Sequence, residues 1–190
     1  MTFCIVLNPV FFNLILFLFT GLLLSSAQVS KMDSLQQALK TGVRDTSAVN
    51  TLNALSAEAD DLSQTLEYAE KAYELANEIE YERGKAYALK NMGIVEYYQG
   101  NHVAVLDYWI QSLEMFESLK DDDGIANLSN NLGALYYSQG SNVKAIDYYL
   151  RSLSIANKIK NPLRITSALS NIAAVYGQMG QYDLALDYLN

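Results

Sequence analysis

Cysteine is almost missing from this chain: Cys4 stands alone among 190 residues. Histidine is as scarce, with His102 by itself, and no Lys, Arg, Asp or Glu occurs before Lys31. Each gap excludes something. With Cys4 upstream of every charged residue, no disulfide framework braces the rest of the chain and no thiol nucleophile lies there. One histidine cannot make the pair that a typical zinc site needs, and no glycine-rich phosphate loop is present. His102 falls at a helix start, where exposure is expected. No constellation for chemistry remains, so this segment is expected to be neither an enzyme nor a holder of cofactor or metal. All of the net charge of −8 lies from Lys31 onward. An acidic surface repels phosphate backbones, which excludes nucleic acid and anionic membrane surfaces as partners of this part.

The uncharged stretch reads as a leader. Val10 to Leu24 is almost wholly apolar and is followed by the small residues Ser25, Ser26 and Ala27, then Gln28. That pattern predicts a secretory signal over residues 1–27, cleaved after Ala27. Phe3 to Leu24 is also long enough to stay as an uncleaved anchor, since about 20 residues cross a bilayer. Either way the remainder is expected outside the cytoplasm, periplasmic or membrane-attached and facing the periplasm. Residues 28–45 read as a linker with a lead-in helix from Ser34 to Lys40.

From residue 46 onward the chain repeats itself. Asn91-Met92-Gly93 returns as Asn131-Leu132-Gly133 and Asn171-Ile172-Ala173, at a spacing of forty. Gln99-Gly100, Gln139-Gly140 and Met179-Gly180 share that period, as do Leu106-Asp107-Tyr108, Ile146-Asp147-Tyr148 and Leu186-Asp187-Tyr188. Periods of this size mark repeat architectures. Ile125, Leu128, Leu132 and Leu135 fall at helical spacing, and Gly140 follows as a stop suited to a left-handed cap. Val143, Ile146, Leu150, Leu153 and Ile155 define a second helix. Asn161-Pro162 then caps and opens the next one. No stretch holds the strand period for long, so the chain is all-α. The predicted helices run Ser47–Ala59 and Leu62–Ile79, Lys85–Gln99 and His102–Leu119, Gly124–Gln139 and Val143–Lys160, then Leu163–Met179 and Tyr182–Asn190.

These residues resemble the tetratricopeptide repeat family. Its signature is Leu-Gly in the first helix, Tyr three residues on, Gly at the turn and a small residue early in the second helix. Leu132-Gly133, Tyr136, Gly140 and Ala145 supply it; so do Ile172-Ala173, Tyr176, Gly180 and Ala185. Met92-Gly93, Gly100 and Val105 match with Glu96 in the Tyr place, and the first unit has Leu52-Asn53 and Asp60 instead. The forty-residue period is similar to that of kinesin light chains and peptide-sensing bacterial regulators. The resemblance implies a right-handed α-solenoid of stacked antiparallel hairpins over residues 46–190, about 3.5–4 repeats. Physically, Gly133 leaves room for the second helix, while Tyr136, Tyr149, Trp109 and Leu189 fill the space between hairpins.

The first helices present a polar arc away from the core. On the third unit Asn127, Asn130, Asn131, Ala134 and Ser138 span roughly 100° at helical pitch. Their equivalents are Tyr87, Lys90, Asn91, Ile94 and Tyr98, and Ser167, Ser170, Asn171, Ala174 and Gln178. The family places its concave groove there. Asn91, Asn131 and Asn171 would form a row of amides, each a donor and an acceptor, able to pair with the backbone of an extended protein or peptide ligand. The other reading is that they bond neighbouring helices and fix the superhelix.

Three smaller features take plain readings. Asp121-Asp122-Asp123 lacks the alternating ligands of a calcium loop and reads as a solvated turn before a helix. Asn127-Leu128-Ser129 is a sequon inside a helix. The pairs Tyr97-Tyr98, Tyr136-Tyr137 and Tyr148-Tyr149 put one ring inward and one outward. The register sets Asn190 partway through a helix, so the chain is expected to be a fragment of a longer protein. The resulting expectation is a binding scaffold serving as the sensing part of a membrane signalling protein, with membrane contact only through the N-terminal segment or a missing C-terminal part. Its alternatives are a free-standing scaffold for envelope complexes and a noncatalytic region of a longer kinase or cyclase.

Overall fold

The computed structural model describes residues 32–40 and 42–190. The leader, its cleavage site and the alternative anchor lie outside the described residues. No helix among those described is long and apolar enough to cross a membrane. A short helix, α1, spans residues 32–39. Four hairpins follow: α2 (Thr46–Glu58) with α3 (Leu62–Glu78), α4 (Glu82–Gln99) with α5 (His102–Ser118), α6 (Asp122–Ser138) with α7 (Asn142–Lys158), and α8 (Pro162–Gln178) with α9 (Tyr182–Leu189).

Turn chemistry sets these boundaries. Gly100, Gly140 and Gly180 end the first helices at φ of +78°, +71° and +74°, which glycine adopts without steric cost. Between hairpins the chain uses the same left-handed step at Glu80, Lys120 and Lys160, at φ of 55°, 55° and 54°. Nothing in these residue types announces that step. It is held by a bond from the next N–H back into the helix, as Asp121 N to Phe116 O at 2.9 Å and Asn161 N to Ala156 O at 3.0 Å. Asn161 also caps α8 through Arg164 N, with Pro162 in the first turn.

Inside a hairpin the two helices meet by exchanging large for small. A Cβ on Gly93 would lie 2.2 Å from Trp109, and one on Gly133 would lie 2.6 Å from the Tyr149 ring. In the first hairpin the sizes swap: Asn53 takes the glycine position and Ala69, fully buried, the aromatic one. Buried hydroxyls tie the same crossing, from Ser112 to Ala86 O and from Ser152 to Ala126 O, both 2.8 Å.

Between hairpins the core is a seam. Trp109, Leu113 and Phe116 of α5 form one cluster with Ile125, Leu128, Leu132 and Leu135 of α6. Tyr149 of α7 packs with Ile172 and Val175 of α8, and Leu75 and Ala76 of α3 with Ala88 of α4. Each hairpin therefore buries its apolar face on its neighbour. The stripe expected on α7 is displaced: Val143 and Leu150 are exposed, and Ala145, Tyr149, Ser152 and Ala156 are buried. Small residues let α7 come close to α6, and a hydrophobicity pattern does not register that. Leu189 is likewise 61% exposed rather than filling a gap, since no described helix packs beyond α9. Tyr136 is half-buried, stacked on Tyr148 at 5.4 Å.

Gly133→Leu forces a side chain into the Tyr149 ring and is expected to cost about 1–3 kcal/mol or more. Gly177 has open space around its Cβ position, so Gly177→Ala should stabilise α8 by roughly 0.5–1 kcal/mol. Urea unfolding of both variants checks the pair; equal stability of the two would contradict the crossing.

Candidate functional site on the first helices

The polar arc of α4, α6 and α8 divides by burial. Asn127, Asn130, Asn131 and Asn171 are half-buried, Tyr87 likewise, while Tyr98, Ser138, Ser167, Ser170 and Gln178 are exposed. Lys90 and Asn91 depart from the expected outward arc: they are 9% and 1% exposed. For Asn91 the cause is the close approach of α2, while Lys90 Nζ lies over the Tyr87 ring. Asn91 Nδ2 donates to Asn53 O at 3.1 Å, and Asn53 Nδ2 donates to Gly84 O at 2.9 Å. Asn91 thus bonds a neighbouring helix. Its Oδ1 and that of Asn53 have no partner. Asn171 reaches back one repeat, donating to Asn130 Oδ1 at 2.9 Å. The Asn131 amide makes no side-chain bond among the described residues. The three asparagines therefore occupy one register but three environments.

A charged network runs along the helix starts. Asp123 holds Arg164 through two bonds of 2.6 and 2.7 Å. Arg83 pairs with Asp121 at 2.6 Å, and Lys158 with Asp122 at 2.7 Å. The three aspartates are thus a junction of three hairpins, which corrects their reading as a solvated turn. The bond from Arg164 holds the Asp123 carboxyl below the usual carboxylate range. Tyr87 lies under Arg83 and Lys90, with ring centroid distances of 5.4 and 5.3 Å. Burial, then the Asp121 and Asp123 charges, push its phenol up to about 12. Lys90 has no ion pair among the described residues, and burial followed by the Arg164 charge lowers it to about 8.

Two recesses open along this face. One of about 620 Å³ lies between the first two hairpins, where Asn91, Ile94 and Tyr98 face Thr65, Leu62 and Ser56. The other, about 400 Å³, is lined by Asn127, Asn130, Ser167 and Arg164, with Ser152 and Asn161. Among the expected site residues, Asn91 and Tyr98 share the first recess, and Asn127, Asn130 and Ser167 the second. Tyr87, Lys90, Asn131, Ser138, Ser170, Asn171 and Gln178 line neither. Among the described residues no group of His, Cys, Asp and Glu is arranged to hold a metal ion. Hydrogen bonding, ion pairing and apolar contact are what this surface offers.

The sequence matches the tetratricopeptide repeat model over residues 85–158 and again over 124–190. The chain belongs to the tetratricopeptide repeat family. Such repeats are generally noncatalytic scaffolds for protein interaction. No curated protein matches the sequence. Among solved structures, BtubC (BKLC) from P. vanneervenii is similar at 21% identity and a TM-score of 0.64, covering 86% of this chain and 69% of that one. A Rap protein complexed with Competence and Sporulation Factor is similar at 19% identity and a TM-score of 0.77, covering 86% and 48%. A putative kinesin light chain from Podosopora anserina, with nearly identical TPR-like repeats, is similar at 12% identity and a TM-score of 0.57, covering 87% and 85%. At these identities the likeness carries the tetratricopeptide fold.

Sequence reading missed Arg83 and Arg164 and took Asp123 for part of a solvated turn. The available signal was opposite charge about one repeat apart: Arg83 and Asp121 are 38 residues apart, Asp123 and Arg164 41.

Lys90 makes the fold weaker at neutral pH, because its burial disfavours the ammonium. The folded state gives up the Lys90 proton near pH 8 and the unfolded state near its ordinary pKa of about 10.4. Across that window the unfolded chain binds more protons, so the Lys90 contribution to stability rises with pH. Lys90→Met should therefore stabilise the protein at pH 7 by on the order of 2–3 kcal/mol, with the gap closing toward pH 10. Chemical denaturation of both proteins across that range checks it; a gap independent of pH would contradict the burial of a charged Lys90.

Proposed function

We propose that the first-helix face is a groove for an extended protein or peptide segment, and that the chain is the sensing part of a membrane signalling protein outside the cytoplasm. The observation that carries the binding reading is that two recesses open on the first-helix face, one lined by Asn91 and the other by Asn127 and Asn130. An extended backbone offers a donor or acceptor at every residue, and amide side chains answer both. The half-buried Asn131 amide, unpaired among the described residues, is free to do so. Lys90 supports the reading from another side: a charge kept buried at a cost to stability is expected where binding, rather than folding, needs it. The Rap neighbour, complexed with its factor, is a precedent for an occupied solenoid of this shape. The leader pattern supports export, since a cleavable apolar segment and a cysteine-free remainder suit a secreted scaffold.

A random peptide library selected on the purified full chain should yield binders, and Asn131→Ala should weaken them about tenfold with helicity and melting temperature unchanged. A variant that binds normally but melts early would assign Asn131 to the superhelix; failure of the selection would remove the groove reading. Mass spectrometry of the exported protein should find Gln28 as the first residue, whereas an intact Met1 would identify an anchor.

A further inference from the structure

A third recess, of about 380 Å³, opens on the other side of α4, between α3 and α5. Its α4 residues Glu82, Lys85 and Leu89 share an arc of about 60° at helical pitch, opposite the arc of Tyr87, Asn91 and Tyr98. It is therefore separate from the first-helix face. Leu89, 5% exposed, and the half-buried Tyr73 and Met115 give it apolar walls. Glu82 on α4 and Glu114 on α5 are exposed in it and carry no ion pair among the described residues. Lys85, its one cation, is engaged with α3: Nζ donates to Asn77 Oδ1 at 3.2 Å and lies 5.6 Å from the Tyr73 ring centroid.

The repeat itself supplies a comparison. In the next furrow, between α5 and α7, the chain provides two cations of its own. Arg151 stands where α5 has Gln111, and its guanidinium crosses to Glu117 of α5. Lys158 stands where α5 has Ser118, and pairs with Asp122, the counterpart of Glu82, at 2.7 Å. In the furrow between α3 and α5 both cation positions are neutral, and the carboxylates are left without partners.

We infer that this recess takes an arginine side chain from a basic protein segment, its stem against Leu89 and Met115 and its guanidinium answering Glu82 and Glu114. The apolar walls suit a methylene stem that carries its charge outward to the rim. The rim offers carboxylates from two helices, and a guanidinium has five donors in a plane and no acceptor to leave unsatisfied. An ammonium is a point charge, suited to one carboxylate as Lys158 is to Asp122. Two carboxylates against the single ammonium of Lys85 leave the recess negative, and the net charge of −8 draws a basic partner toward it. The site does not depend on the groove of the first helices.

The test is a titration of the isotope-labelled full chain, followed by amide chemical shifts, with the peptide acetyl-Gly-Ala-Arg-Ala-Gly-amide and the same peptide carrying citrulline, which keeps the shape and deletes the charge. The arginine peptide should shift Lys85, Gln111, Glu114 and Met115 and bind about fivefold tighter than the citrulline peptide. Glu114→Gln should weaken it severalfold. Gln111→Arg gives this furrow the residue that the next one has, and should abolish the shifts while leaving the melting temperature unchanged. Equal binding of the two peptides, or indifference to Gln111→Arg, overturns the assignment. Shifts confined to Asn127 and Asn130 would place the peptide on the first-helix face and overturn it, as would no shift at all. The library selection decides the groove independently.

Discussion

The contact between Gly93 and Trp109, repeated between Gly133 and Tyr149, sets the geometry on which the other features rest. With no Cβ on one side and a broad ring on the other, the two helices of a hairpin settle at a close, fixed distance. That closeness brings Ser112 and Ser152 within reach of carbonyls on the facing helix. Hydroxyls buried at such a crossing would be costly if unpaired, so the bond both follows from the approach and reinforces it. The first hairpin reaches the same end with the sizes exchanged, Asn53 against Ala69. What the fold requires is complementary volume, not glycine as such.

Stacking follows because a hairpin built this way leaves its second helix half uncovered. The apolar seams between α3 and α4, α5 and α6, and α7 and α8 cover that helix, and polar groups set the relative placement of the hairpins. Asp121, Asp122 and Asp123 take cations from three different helices. Pairs of this kind are partly exposed and add little to net stability; their geometry restricts how one hairpin rotates on the next. The asparagine bonds play a similar part, Asn91 to Asn53 O and Asn171 to Asn130, each spanning one repeat.

The same face combines two demands that pull apart. Side chains used to join hairpins are not available to a ligand, and the structure divides the work among equivalent positions. Asn91 is bonded through its nitrogen and buried with its oxygen unpaired; Asn171 is engaged with Asn130; Asn131 is unengaged. Lys90 is the costly member, buried beside Tyr87 and near Arg164 without a carboxylate of its own. A surface assembled in this way is uneven along its length, which gives a bound segment a direction as well as a place.

The sequence alone determined the class and the phase of this protein. A forty-residue period with glycine stops placed every helix to within about three residues, because periodicity and turn chemistry are local properties. It also fixed which residues share the first-helix face. Tertiary structure decided how deep each of them lies. Lys90 and Asn91 looked outward by angle and are buried, Asn91 because α2 approaches and Lys90 against the Tyr87 ring; Val143 and Leu150 looked inward by hydropathy and are exposed because small residues face α6. Helical angle is set within one segment, while burial depends on the distance to the next, and that distance follows from volumes contributed by residues far apart in the chain. The aspartate junction belongs to the same category: three like charges in a row read as a solvated turn until the stacking brings Arg83, Lys158 and Arg164 to them.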